Sequence, residues 1–389
     1  MNTRWLLSIL VFAVSVVGLS MGTTLPLVAL RLHEAGASSL SIGVISALPA
    51  AGMIIAALLT HRLCRYYSGR QLYLGCFAIC VAACLALLPA DLPLVALAIA
   101  RLALGIAMGV VIILGESWVN ELCSEEKRGQ VVALYAACFT GCQLAGPAMI
   151  SLLGASSDWP LWVISIANLL TFCLLLSQLP ADWSESDGHD TQSRRFSLFG
   201  FIRIAPALCL GVLFFAFFDA VVLSLFPVYA SSHGYAMAAA AIMASVILGG
   251  DMLLQVPLGW LADRVNRRML HLVCGLITLC LAITLPWLIG LESLLWPALV
   301  ILGAAAGGIY TLSLVIIGQD FRGPELVTAN ACVGMLWGVG SLVGPLMSGA
   351  FMSLGQHGMP VALSLAAALF VLAAAKSVLG KRARTHETT

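Results

Sequence analysis

Charge is what this sequence has least of. Acidic and basic residues make up 10% of its 389 positions, 19 Lys and Arg against 18 Asp and Glu, for a net charge of +1. So balanced a chain has no basic face for nucleic acid, and no nucleic-acid partner is expected. No G-x-x-x-x-G-K-[ST] phosphate loop occurs, which excludes ATP drive of the usual kind. His61, His233, His271 and His357 are scattered at segment ends, with no nucleophile–base or metal constellation among them. Cysteine is not scarce, but Cys76, Cys80 and Cys84, and Cys138 with Cys142, repeat at helical spacing without the His or acidic companions a metal site uses. They read as small packing residues, and no metal, cofactor or catalytic residue is assigned.

Apolar residues fill the space instead. They make up 61% of the chain, and mean hydropathy is +1.03, well above the roughly half-apolar composition of soluble domains. Trp5–Leu30, Gln71–Ala90, Gly129–Ser157 and Met269–Leu291 contain no charged residue, and neither does Leu326–Ala375, which has room for two spans. A bilayer core of about 30 Å takes about 20 residues of helix. The pattern predicts an all-α membrane protein with twelve spans, at 5–30, 40–62, 71–89, 93–119, 130–154, 159–180, 204–230, 236–262, 269–290, 294–318, 325–353 and 358–380. The first run, 26 residues long, exceeds the roughly 7–15 residues of a signal-peptide core and argues against cleavage.

Basic residues gather in cytoplasmic loops. With both termini inside, 17 of the 19 Lys and Arg fall on that side; Arg31 alone lies outside and Arg101 lies within span 4. The polar stretch Ala181–Ser197 reads as a linker, which gives an N-terminal six-helix bundle at 1–180, a cytoplasmic linker at 181–203, and a C-terminal bundle with a short tail at 204–389.

The halves repeat. Gly105 and Gly303, Gly109 and Gly307, Gly146 and Gly344, and Gly52 and Gly250 are each separated by 198 residues. Parallel six-helix repeats of this kind belong to transporters with a midplane site. After span 8 comes Gly259-x-Leu261-Ala262-Asp263-Arg264-x-Asn266-Arg267-Arg268, which resembles the G-x-L-A-D-R-x-G-R-R loop of the major facilitator superfamily. The matching loop after span 2 keeps Arg65 but has Thr60 and Cys64 where the pattern has Gly and Asp. The resemblance implies two pseudo-symmetric bundles with a substrate site between them and a cytoplasmic gating loop formed by Gly259, Asp263, Arg264, Arg267, Arg268 and Arg65. Arg101, Glu116, Arg128-Gly129 and Gly146-Pro147 together resemble the YcaD-type bacterial branch, which implies a multi-pass protein of the bacterial inner membrane that works as a monomer.

Four ionisable residues sit inside spans: Arg101, Glu116, Asp219 and Asp251. A charge at a helix centre costs about 2.5–3.5 kcal/mol on insertion scales, so each is a functional candidate. Each also has a plainer reading, as a tie to a neighbouring helix or, for Glu116, as a gate near the cytoplasmic end. Arg101-x-x-x-Gly105 resembles an element of proton-linked members. Asp219, poorly solvated among Phe214, Phe215, Phe217 and Phe218, and Asp251, with Gln255 a turn away, are candidate proton carriers. The phenylalanines read more simply as lipid-facing or core packing. Thr23, Thr24, Gln143, Asp219, Tyr310, Thr311, Asn330 and Trp337 are candidate cavity residues, although any hydroxyl or amide among them could serve only a neighbouring helix.

These residues point to a proton-coupled secondary transporter of a small organic molecule, working by alternating access with protons and the bilayer as its other partners. Export is favoured, although the antiporter element Gly146-Pro147 lacks its trailing glycines. Uptake symport or uniport is the alternative. A ligand sensor or a membrane-embedded enzyme would be a different class.

Overall fold

A computed structural model describes residues 3–89, 92–122, 128–179, 198–262, 264–321 and 324–386. Among them there are thirteen helices and no strand. The first half holds α1 (Thr3–Glu34), α2 (Ser39–Leu63), α3 (Gly69–Ala86), α4 (Leu94–Leu122), α5 (Arg128–Leu153) and α6 (Trp159–Gln178). A short α7 (Leu198–Ile204) precedes α8 (Pro206–Ser232), α9 (Met237–Ala262), α10 (Arg267–Leu288), α11 (Glu292–Asp320), α12 (Pro324–Leu354) and α13 (Gly358–His386). All but α7 are long and apolar enough to cross a membrane, twelve spans in the described residues. In hydrocarbon a backbone must satisfy its own hydrogen bonds, which leaves helices for a chain of this composition. Prolines inside α1, α2, α5 and α8–α12 are tolerated because neighbouring helices re-satisfy the freed groups.

The chain divides into two compact units. One comprises residues 1–37, 44–189 and 236–245; the other comprises 38–43, 190–235 and 246–389. In the first, α1 packs on α5, α6 and α4, and α3 on α4 and α6. In the second, α8 packs on α12, α13 and α11, and α10 on α11 and α13.

The repeated glycines sit at the helix crossings. A Cβ on Gly52 would stand 2.7 Å from the Ile106 nitrogen on α4, and one on Gly105 would overlap the Pro49 backbone of α2. In the second unit a Cβ on Gly250 would stand 2.9 Å from Val300 Cα of α11, and one on Gly303 would overlap the Ile247 backbone of α9. Gly146 approaches Gly22 and Thr23 of α1, while Gly340 and Gly344 approach Leu213 and Phe217 of α8. Small residues let membrane helices touch backbone to backbone, where dispersion rather than hydrophobicity drives association.

Two further devices repeat. Ser68 closes a capping box with Gln71 on α3, and the Asn266 side chain accepts from the Arg268 and Met269 amides at the start of α10; such caps satisfy orphan first-turn donors. At the other end, Arg31 on α1 donates to the carbonyl of Ser157 at 2.9 Å and pairs with Asp158 at 2.8 Å. The Arg31 charge is thus neutralised locally. At the corresponding end of α8, Tyr229 Oη meets His357 Nδ1 at 3.1 Å. Residues 198–204 of the linker region are helical, and Phe201 is fully buried with its ring edge-on to Phe321, centroids 5.1 Å apart.

Candidate transport site

The four most interior spans are α1, α4, α8 and α11, between 61% and 89% buried, against 22–50% for the other eight. Three of the four intramembrane charges lie on them, Arg101 and Glu116 on α4 and Asp219 on α8. Asp219 is 5% exposed, and Phe214, Phe215, Phe217 and Phe218 around it are buried too, as their packing reading requires.

Phe215 does more than pack. Its ring stacks on Tyr310 of α11 at 5.1 Å and 17°, and Trp337 of α12 stands at steep angles to both, 5.6 Å from Phe215 and 5.1 Å from Tyr310. Offset stacking and edge-to-face contact are the favoured aromatic geometries. Three helices of the second unit thus build one aromatic corner, with Tyr310 and Trp337 partly exposed. Asp219 lies one turn along α8 from Phe215 and so on the same face. Thr311 and Gln255 are joined at 3.3 Å across α11 and α9. Asn330 is exposed on α12.

Asp251 lies midway along α9, about 21 Å from its start at Met237. Its carboxyl occupies the space that a side chain on Gly307 of α11 would fill. Its Oδ1 is buried and has no hydrogen-bond partner among the described residues. In the first unit the same crossing has Met53 and Ala56 opposite Gly109.

Arg101 is completely buried, and none of its three guanidinium nitrogens has a hydrogen-bond partner among the described residues. Gln143 and Thr24 are buried near the α1–α5 crossing, and Thr23 donates to the Leu19 carbonyl of its own helix at 2.7 Å. Glu116 is exposed. Beside it the Tyr73 and Tyr135 hydroxyls converge on Gly115 from α3 and α5.

In the loop that resembles the superfamily's signature, Arg264 lies 3.8 Å over the Trp260 ring, Arg267 Nε donates to the Ala262 carbonyl at 2.9 Å, and Arg268 bonds Ser377 at 2.7 Å and pairs with Asp320. Arg65 is exposed and lines a cavity of about 280 Å³ with Tyr66, Tyr67, Ser68 and Trp118. Asp263 lies outside the described residues, as do the surroundings of Gly259.

Two features escape a reading of single residues. Phe215 looks like any other phenylalanine until Tyr310 and Trp337 are folded against it. His271 is buried, with Nε2 at 3.1 Å from both the Ile309 carbonyl and Ser313 Oγ; it stands 198 residues after Tyr73, and that spacing is the signal that singles it out.

Comparison with known proteins gives this arrangement its class. A family model of the Major Facilitator Superfamily matches residues 10–253 and 208–388. The chain belongs to that superfamily. It is 28% identical over 369 residues to the MFS-type transporter YfkF of Bacillus subtilis, covering 90% of this chain and 89% of that one. It is 24% identical over 255 residues to the MFS-type transporter YcaD of Salmonella dublin, covering 65% and 64%. Among solved structures, the nucleoside transporter NupG matches with a TM-score of 0.74 at 15% identity over 96% of this chain and 98% of that one. A D-xylose-proton symporter matches at 0.70 and 17%, over 96% of each. The protein is a multi-pass membrane transporter with the twelve-span fold of this superfamily.

Proposed function

We propose that the protein is a proton-coupled secondary transporter that exports a small organic molecule by alternating access. The observation that carries this reading is the Asp251 carboxyl, set midway along a membrane span with a buried oxygen that no donor or cation among the described residues satisfies. Intramembrane acids are costly, and they mark proton relays and substrate paths. Asp219 is the second acid, and the buried Arg101 supplies a fixed positive charge that tunes the first half. Glu116 serves the cytoplasmic end of α4. Thr23, Thr24, Gln143, Tyr310, Thr311, Asn330 and Trp337 contribute polar and aromatic contacts to substrate. Both termini are cytoplasmic, the membrane is the bacterial inner membrane, the two halves are six-helix bundles joined through residues 181–203, and the carrier works as a monomer. The gating loop acts through Asp263, Arg264, Arg267 and Arg268, with Arg65 as a weaker counterpart. Proton-linked uptake is a second reading, favoured by the partial export signature at Gly146-Pro147 and by the likeness to a D-xylose-proton symporter.

The test is proton flux in proteoliposomes loaded with a pH dye, under an imposed gradient, against sugars, amino acids, organic acids, nucleosides and organic cations. Asp251→Asn and Asp219→Asn run in parallel. A compound-triggered flux lost in one variant supports the reading, and its sign gives the direction. Labelled compounds that cross without proton movement would overturn the coupling.

A further inference from the structure

The α9–α11 crossing differs from its repeat in one chemical respect. At the α2–α4 crossing, Gly109 faces the Met53 backbone at 3.0 Å and the Ala56 methyl at 2.8 Å, measured from where a Cβ would stand. At α9–α11, Gly307 faces the Asp251 carboxyl, whose Oδ1 and Cγ both overlap the place of that missing Cβ, with Asp251 Cβ 2.9 Å from it. Met53 and Asp251 are 198 residues apart. The first unit therefore achieves the same helix approach with apolar side chains alone. Close packing does not require the acid, so its presence in the second unit calls for another reason.

The notch suits a neutral carboxyl and not an ionised one. Oδ1 has no partner there among the described residues, and an uncompensated buried ion costs several kcal/mol even after relaxation. Among the described residues no ion pair reaches it. The titratable side chains close to the notch on the packed helices are Tyr310 on α11, one turn from Gly307, and His271 and Cys274 on α10, which approach Ile309 and Gly308. Asp219 on α8 is the only other acid of this unit that lies away from the ends of a span.

We propose that Gly307 is the positioning residue of a protonation-controlled joint, in which the notch it leaves houses the neutral Asp251 carboxyl and loss of the proton to water expels the carboxylate and loosens α9 on α11. This rests on the proton-coupled reading and assigns the carrier role to Asp251 over Asp219. The step is a simple proton transfer: the carboxyl O–H breaks, the proton passes to water, and the carboxylate turns away from the α11 backbone. In the unprotonated state the α9–α11 crossing keeps the Gly250 and Gly303 backbone contacts and the Gln255–Thr311 hydrogen bond.

The joint can be tested without a known substrate. In purified full-length protein, infrared titration follows the carboxylic-acid C=O band, assigned by its loss in Asp251→Asn. In Gly307→Ala the methyl occupies the notch, and the midpoint of that band moves toward acid pH by about one unit or more. An unchanged midpoint in a folded Gly307→Ala protein overturns the joint. Should Gly307→Ala fold poorly, Asp251→Ala/Gly307→Ala removes the overlap and recovers the melting temperature; failure to recover it shows that Gly307 serves the backbone crossing only, and also overturns the proposal. Loss of the band in Asp219→Asn instead would move the carrier role to Asp219. The proteoliposome flux is read separately, so absence of coupling with a normal infrared shift, or coupling with no shift, distinguishes failure of the function from failure of the joint.

Discussion

Tyr229 and His357 meet at 3.1 Å at the end of α8, where the first half of the chain has the Arg31–Asp158 ion pair at 2.8 Å. Arg31 and Tyr229 are 198 residues apart. The same staple, from the end of one helix to a turn four helices on, is thus made with full charges in one half and with a phenol and an imidazole in the other.

The two staples respond differently to substitution. Arg31→Ala removes the ion pair and the donation to the Ser157 carbonyl, and costs about 1–2 kcal/mol. The melting temperature of purified protein falls by about 1–3 °C, and part of that loss is already present in the wild type at high salt. Tyr229→Phe costs about 1 kcal/mol with little salt dependence. Thermal unfolding at low and high salt checks both.

Gly303→Ala places a methyl into the Ile247 backbone, which cannot yield as a side chain would. The variant loses its folded population or melts several degrees lower. Gly141 on α5 has open space around its Cα, so Gly141→Ala leaves stability unchanged or raises it by up to about 1 kcal/mol through helix propensity. Size-exclusion profiles and melting curves separate the pair.

Phe201 anchors α7 within the second unit, against Phe321. Phe201→Ala removes a fully buried ring, at about 3–5 kcal/mol for a core phenylalanine. The loss is local, so limited proteolysis near residues 198–204 speeds up strongly while the melting temperature of the spans moves little. Equal protection in the variant would deny the anchor.

Tyr235, in the turn between α8 and α9, donates to the Ile289 carbonyl at 2.9 Å. Burial, and then the nearby Glu292 charge, push its phenol above the usual value of 10.0. A group whose folded-state proton affinity is raised contributes stability below its unfolded value and loses it as the pH rises through the folded one. The melting temperature should therefore decline above about pH 10, and less steeply in Tyr235→Phe. Parallel slopes would refute the contribution.

Much of the fold is legible in the sequence, because a membrane span writes its own length as a charge-free run: Trp5–Leu30 and Met269–Leu291 need no partner to be recognised. The site is less so. Asp251 stands out as a charge, but Gly307 is 56 residues away, and only the crossing of α9 and α11 shows that one fills the other's space. Tyr310 and Trp337 are visible as polar-tipped aromatics inside spans, whereas Phe215 becomes a partner only through stacking across three helices. Helix α7 is hidden by the Ser- and Asp-rich residues before it, and Phe201 needs Phe321 to show where it docks.

The unequal helix lengths have a consequence for the surrounding lipid. The interior α1, α4 and α11 run to 32, 29 and 29 residues, about 44–48 Å. The more exposed α3, α6 and α10 have 18, 20 and 22, about 27–33 Å. These three match a hydrocarbon slab of about 30 Å, whereas the equally exposed α12, with 31 residues, exceeds it. The long helices overhang it at their ends, which puts Arg31 and Asp158 at headgroup depth. Bilayer thickness therefore bears first on the short α3, α6 and α10, and a thicker membrane would strain α3 before it reached α1.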